Sequence, residues 1–258
     1  MLIPVSKNHS INRVIANFFI PQNIIKPDFL FQKIVNSNKL TNYQKRGLAK
    51  GKTINLNNDN LNVSNDEIRG FIFEEFNSIG KSINVLKVEN TSNKAQISFE
   101  NREYVSWDNY KTRLFSEIRL LSEVFDVFVE AIALTYVDEF IWNSKENINI
   151  KEIFDEQSEL LNTKFINSHN GTLVLISQSD KKENTQFEEE KTEVMFNNNI
   201  KRVIVNHTFA IKFSDIKAYS SDNNSKFFED SFEKAHQSNK DLLKKIFTKE
   251  IQDLIKLK

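Results

Sequence analysis

The sequence predicts an α+β fold of antiparallel strands closed by a long central helix and a C-terminal helix. Three patterns predict it. Short apolar segments follow one another across four-residue turns such as Asn77–Gly80 and Asn90–Asn93, as in an antiparallel meander. Large apolar residues recur at steps of three or four from Trp107 to Phe125, the spacing of one helix face. Val203, Val205, His207, Phe209, Ile211 and Phe213 alternate strictly, the period of a half-buried strand.

Along the chain, Ile11 to Ile20 reads as a strand bounded by Pro21, and Pro27-Asp28 opens a short amphipathic helix carrying Phe29, Leu30, Ile34 and Val35. The stretch from Lys39 to Glu67 is rich in Asn, Lys and Asp. It reads as a long loop with at most one short strand near Ile54 to Val63. Phe71–Phe76, Ile83–Glu89 and Lys94–Phe99 form the meander, and Ser106 is placed to cap the helix that begins at Trp107. Val127 to Trp142 is apolar at both odd and even positions, which predicts a central strand buried on both faces. A short helix over Ile150 to Leu161, a strand over Thr172 to Ser177 and a solvated acidic turn over Asp180 to Lys191 follow. Val194–Phe196 then pairs with Arg202–Phe213. From about Phe228 the stripe Phe232, Ala235, Leu242, Leu243, Ile246 and Phe247 is helical, and Thr248 caps a last helix. The chain reads as a single α+β domain over 1–258. A strand set closed by a helix on each side leaves open two pseudo-repeated halves, 1–126 and 127–258, without self-similarity at the residue level.

Composition excludes several function classes. With 5 Gly and 3 Pro among 258 residues, glycine-repeat phosphate loops and flexible linkers are not expected. The 35 basic and 35 acidic side chains cancel, so no global field argues for nucleic acid or an anionic membrane. The absence of Cys removes disulfides, thiolate metal sites and cysteine nucleophiles, and fits a reducing compartment. The start of the chain lacks the pattern of a secretory signal, and its apolar runs are shorter than the ~20 residues of a bilayer crossing. No membrane association is expected, and a cytoplasmic location is.

Gly47-Leu-Ala-Lys-Gly51-Lys52-Thr53 approaches a phosphate-binding loop but has three residues between the glycines where four are needed. What remains is a basic cluster of Lys45, Arg46, Lys50 and Lys52 beside Tyr43, a candidate anion-binding loop able to meet phosphates and stack a base. The four His lack metal-ligand spacing. His207 reads as a hydrogen-bonded core residue and His236 as an interface or surface residue. Asp180 with Glu189 and Lys191 is the single hint of a Mg²⁺-dependent nuclease, against the simpler reading of a charged turn. No cofactor, metal or catalytic residue is expected. Trp107, Tyr136 and Phe140 are read as large structural anchors between helix and strand.

Gly70-Phe-Ile-Phe73, Tyr104-Val-Ser-Trp107 and Ala133-Leu-Thr-Tyr136-Val-Asp-Glu-Phe140 resemble motifs of a sporadically distributed family of bacterial proteins of unknown function and about this length. Ala235-His236 and Phe247-Thr-Lys-Glu250 resemble its C-terminal end, so the resemblance spans roughly two-thirds of the chain. The family more usually carries Leu-Arg-Tyr-Ile-Asn-Arg where this chain has Thr135, Asp138 and Glu139, which removes basic character. The resemblance implies no catalytic role. The patchy distribution resembles that of phage-defence and toxin-antitoxin genes. Taken together, the expectation is a non-enzymatic binding or regulatory protein acting through a protein partner in such a module. The alternatives are a nucleic-acid-binding protein using residues 45–52 and a divergent Mg²⁺-dependent nuclease, and homo-oligomerisation is left open.

Overall fold

A computed structural model of the protein describes residues 2–6, 9–57, 60–181, 186–220 and 222–257, without the side chains of 52–57, 60–66, 180–181 and 222–223. The strands are β1 (Leu2–Pro4), β2 (Ile11–Ile20), β3 (Lys45–Asn57), β4 (Asn60–Phe76), β5 (Ser82–Asn90), β6 (Ala95–Asn101), β7 (Phe128–Trp142), β8 (Gly171–Lys181), β9 (Gln186–Asn197) and β10 (Arg202–Ala218). The helices are α1 (Pro27–Asn36), α2 (Trp107–Ser122), α3 (Ile150–Ile153), α4 (Thr163–Ile166), α5 (Asp222–Ile246) and α6 (Lys249–Leu254).

The ten strands form one sheet in the order β3-β4-β5-β6-β2-β7-β10-β9-β8, and β1 extends the β2 side along the far end of β7. Every pairing is antiparallel.

This architecture corrects the expectation of a fold organised by a long central helix with two pseudo-repeated halves. No long central helix exists: α2 is 16 residues and lies on one face of the sheet. The boundary at 126/127 falls just before β7, which pairs with β2 on one side and β10 on the other, so the strands before and after it share one sheet. The supposed loop over Lys39 to Glu67 contains β3 and the first part of β4, in a ladder that runs from Lys45↔Glu74 to Asn57↔Asn60. The sequence of β3 lacks an apolar alternation because it is an edge strand, paired on one side only. The acidic turn is likewise mostly strand, since β9 starts at Gln186, and the short helix after Ile150 ends at Ile153.

One face of the sheet is apolar across the six strands from β4 to β10. A rung runs Phe71–Val88–Ile97–Phe18–Ile132–Ile211 across six strands, and the next runs Phe73–Leu86–Phe99–Ala16–Leu134–Phe209. All twelve residues are buried. Helices α1, α2 and α5 cover this face. Ser106 caps α2, its Oγ accepting from Asn109 N at 3.3 Å, and the Tyr110 hydroxyl donates to the Phe99 carbonyl at 2.9 Å. Phe18 sits where α5 crosses β2, with ring centroids 5.2 Å from Phe232, 6.1 Å from Phe228 and 6.3 Å from Tyr219. A second apolar cluster gathers Phe140, Trp142, Phe154, Phe165, Phe196, Ile246 and Phe247 at the far end of β7, under α3, α4, α6 and the last turns of α5.

The turns follow local chemistry. Between β4 and β5, Gly80 takes φ +78°, a left-handed value natural to glycine, and Asn77 Oδ1 accepts from Ile79 N and Lys81 N. Among the described residues no helix is long and apolar enough to cross a membrane.

Phe18 joins the sheet to α5 through Phe228 and Phe232, so Phe18→Ala should cost about 3–5 kcal/mol, read as a lowered urea midpoint with an unchanged slope. A loss under about 1 kcal/mol would refute its place in the core.

Candidate functional site

Between the two apolar clusters the covered face carries polar residues. Tyr136, fully buried on β7, places its hydroxyl 2.8 Å from His236 Nδ1 on α5. Trp107 stacks on the same imidazole, with centroids 4.5 Å apart and planes 12° apart. The Trp107 indole N–H donates to Glu233 Oε2 at 2.8 Å, and Lys111 Nζ donates to the same oxygen at 3.0 Å. Trp107 and Tyr136 thus meet across a histidine on α5 that joins α2, α5 and β7. His236 is half-buried, and its tie to the core was missed from sequence because its partner lies a hundred residues away. Phe140 packs edge-on against Phe247 at 5.4 Å. Tyr104 stands edge-on to Tyr136 at 6.3 Å, and His9 stands edge-on to Tyr104 at 5.3 Å.

The next polar positions on β7 and β10 are Asp138 and His207. Asp138 is fully buried, and Ser10 Oγ donates to its Oδ1 at 2.5 Å. Burial pushes its pKa from 3.8 up to about 7, partly offset by the Ser10 hydrogen bond. His207 is buried as expected, with the side chain of Asn239 as its hydrogen-bonding neighbour. Burial lowers the pKa of His207 to about 4, and burial with the nearby Lys240 lowers that of His236 to about 4. Perturbed groups gathered in one place are a common mark of function. Here, however, Tyr136, Asp138 and His207 are buried beneath α5, and the cluster reads as the joint of the core.

The opposite face of the sheet is open. Its rungs read Ile72–Lys87–Ser98–Asn17–Ala133–Ala210–Glu189–Gln178 and Glu100–Ile15–Thr135–Thr208–Lys191–Ile176. Thr135 and Thr208 share a hydrogen bond at 2.8 Å, and Asn17 Oδ1 accepts from Gln96 and Ser98. At one end lies a groove of about 340 Å³ floored by Val137, Ile204 and Met195 and walled by Asn12, Arg13, Lys81, Glu100, Arg102, Glu139, Arg202 and Asn206. Arg102 grips Glu100 through two hydrogen bonds of 2.9 Å, and Arg13 approaches the same carboxylate at 3.6 Å. Arg202 pairs with Glu139, which also accepts from Asn12 at 2.6 Å. The carboxylates fix the arginines in place, and cations remain in excess along the walls.

The basic residues expected to form an anion site fall on edge strand β3. Lys45 Nζ lies 2.6 Å from Glu74 Oε2. Arg46 is turned to the carbonyls of Tyr43 and Leu40 at 3.1 and 2.9 Å. Tyr43 is only 1% exposed and offers no face to a base. Lys50 lies on the same strand, and the side chain of Lys52 is outside the described residues, as is that of Asp180. Glu189 accepts from Gln178 at 2.6 Å on the open face, and Lys191 is exposed two residues on. Among the described residues no group of three or more His, Asp or Glu is gathered as metal ligands would be. The groove residues Arg13, Arg102 and Arg202 escaped the sequence reading because they come from separate strands, and alternation marks a face without telling which rows converge. Neither a family model, nor a curated protein, nor a solved structure matches the chain.

The shifted groups set opposite pH dependences. Asp138 is raised in the fold, so its contribution is present below pH 3.8 and lost as pH rises through about 7. His207 and His236 are lowered, so theirs is present above pH 6.5 and lost as pH falls through about 4. Asp138→Asn keeps a partner for Ser10 while removing the buried charge. It should raise stability at pH 8 by more than about 1 kcal/mol, with the gain shrinking toward pH 4 when urea unfolding is compared at the two values. A pH-independent difference between variant and native protein would reject a carboxylate charged at the cost of the fold.

Proposed function

We propose that the protein is a non-enzymatic binding protein that docks a protein partner on the open face of its sheet, at the groove centred on Val137. The observation that carries this reading is the alternation of fixed charges over an apolar floor. Val137, Ile204 and Met195 lie beneath Arg13, Arg102 and Arg202, each arginine held by Glu100 or Glu139. Arginine held in this way loses little conformational freedom on binding, and arginine around an apolar centre is a favoured composition of protein interfaces. The cationic excess points to a partner surface bearing Asp or Glu. Nucleic acid fits this face less well, because a phosphate chain calls for a long run of cations and here Glu100 and Glu139 already neutralise part of a short one. We place the protein in the cytoplasm, and the phage-defence or toxin-control setting rests on the family resemblance alone.

Arg13 and Arg202 keep 49% and 48% of their side chains exposed, so Arg13→Gln with Arg202→Gln, which set no second carboxylate beside Glu100 and Glu139, should leave the protein folded, with an unchanged circular dichroism spectrum. The native protein, immobilised and offered the extract of its host, should retain a protein whose association rate falls at least about tenfold with the double variant and declines with salt. Equal capture by both forms would reject the groove as the docking site. Tighter retention of nucleic acid than of any protein would reject the function.

A further inference from the structure

The two edges of the sheet are built differently. The β3 edge carries Lys45, Arg46 and Lys50, and its pairing with β4 is broken by register shifts at 49/50 and between 51 and 53. Charge and bulges are the usual devices that keep an edge from pairing with another chain. The β8 edge has neither. Its pairing with β9 is unbroken from Gly171 to Lys181, and no residue from Gly171 to Ser179 is charged or proline. Val174 is 49% exposed and Ile176 62% exposed on the open face. On the covered face Leu173 and Leu175 are half-buried, and Leu175 lines a cleft of about 510 Å³ that α5 leaves over β8 and β9. This strand therefore shows apolar surface on both faces beside a row of outward backbone groups.

We infer that β8 is a dimer seam, pairing antiparallel with β8 of a second copy of this chain. The occupant follows from self-complementarity. A two-fold contact sets residue i opposite j and j opposite i. The uncharged segment Gly171–Ser179 is centred on Leu175, which then faces itself. Val174 faces Ile176, Leu173 faces Ser177 and Thr172 faces Gln178 of the second copy. Each pair lies on one face of the sheet, with Leu175–Leu175 and Val174–Ile176 apolar at the centre, Leu173–Ser177 mixed and Thr172–Gln178 polar outside them, and no two like charges meet. The two clefts beside Leu175 join across the dyad.

Sedimentation of the full chain from about 1 to 100 µM should show a concentration-dependent dimer. Ile176→Lys, at an exposed site, puts two ammonium groups beside Val174 of the opposite copies and should weaken the dimer at least about tenfold with the circular dichroism spectrum unchanged. Because the chain has no cysteine, a single Leu175→Cys should cross-link to itself under mild oxidation. Ile176→Cys, displaced by two residues from its counterpart, should not, as its Cα separation exceeds the roughly 7 Å a disulfide spans. A monomer throughout, a dimer indifferent to Ile176→Lys, or failure of Leu175→Cys to cross-link would each overturn the inference. None of these outcomes bears on the groove at Val137.

Discussion

Strand β7 must hydrogen-bond to β2 and β10 along almost its whole length while burying both of its faces. Its residues meet those conditions one by one. Ile132, Leu134, Tyr136 and Phe140 fill the covered side. Ala133 and Val137 are also buried on the side that is otherwise open, because flanking side chains such as Ile15 and Ile204 close over small residues. Polar side chains there would lose water without gaining partners, so the length of this doubly apolar strand fixes the width of the sheet's core. It also joins segments far apart in the chain, with Phe18 and Ile211 both opposite Ile132. Such long-range pairing predicts slow, cooperative folding, since loops must close before β7 gains either neighbour.

The second constraint is the polar joint between the clusters. Asp138, His207 and Asn239 lie where apolar residues would pack more cheaply, and Asp138 Oδ2 has no hydrogen-bond partner among the described residues. Their effect is specificity of position. A one-residue slip of β10 on β7 would move the whole apolar row Val203–Ile211 to the open face and bring His207 out with it. Tyr136 and Trp107 reinforce this from the helix side, since only one rotation of α5 presents His236 to both. The stack and the hydrogen bond together fix α5 against the sheet, while Phe18 with Phe228 and Phe232 supplies the apolar area.

How far the molecule was legible in its sequence follows from which physical signal each segment carries. Burial on a regular period leaves a readable trace: Arg202–Phe213, the meander, and the helix capped by Ser106 all show it. An edge strand rich in Asn and Lys leaves little, which is why Lys39 to Glu67 reads as a loop with at most one short strand near Ile54 to Val63 although β3 lies in it. A clear helical stripe establishes that a helix exists, but its place at the centre or on the flank depends on how many strands surround it. Of the site residues, Trp107, Tyr136 and Phe140 were legible because large aromatic residues on a periodic face must pack. The groove was not, since Arg13, Glu100, Glu139 and Arg202 are each ordinary strand-end charges until the register sets them side by side.

The open face and the β8 edge are geometrically independent, and their combination has a consequence neither has alone. An antiparallel pairing of β8 with its own copy requires a dyad normal to the sheet, so both open faces lie on the same side of one continuous sheet. From β7 through β10, β9 and β8 to the same strands of the second copy there are seven interstrand steps. At ~4.8 Å each, the two grooves lie about 34 Å apart along the sheet. A partner carrying its acidic surface twice, or itself a dimer, could engage both at once. The second contact would then be intramolecular, with avidity gained without any new kind of interaction. A dyad in the plane of the sheet would instead put the grooves on opposite sides and deny this, so strand polarity at the seam decides whether the groove at Val137 acts singly or in pairs.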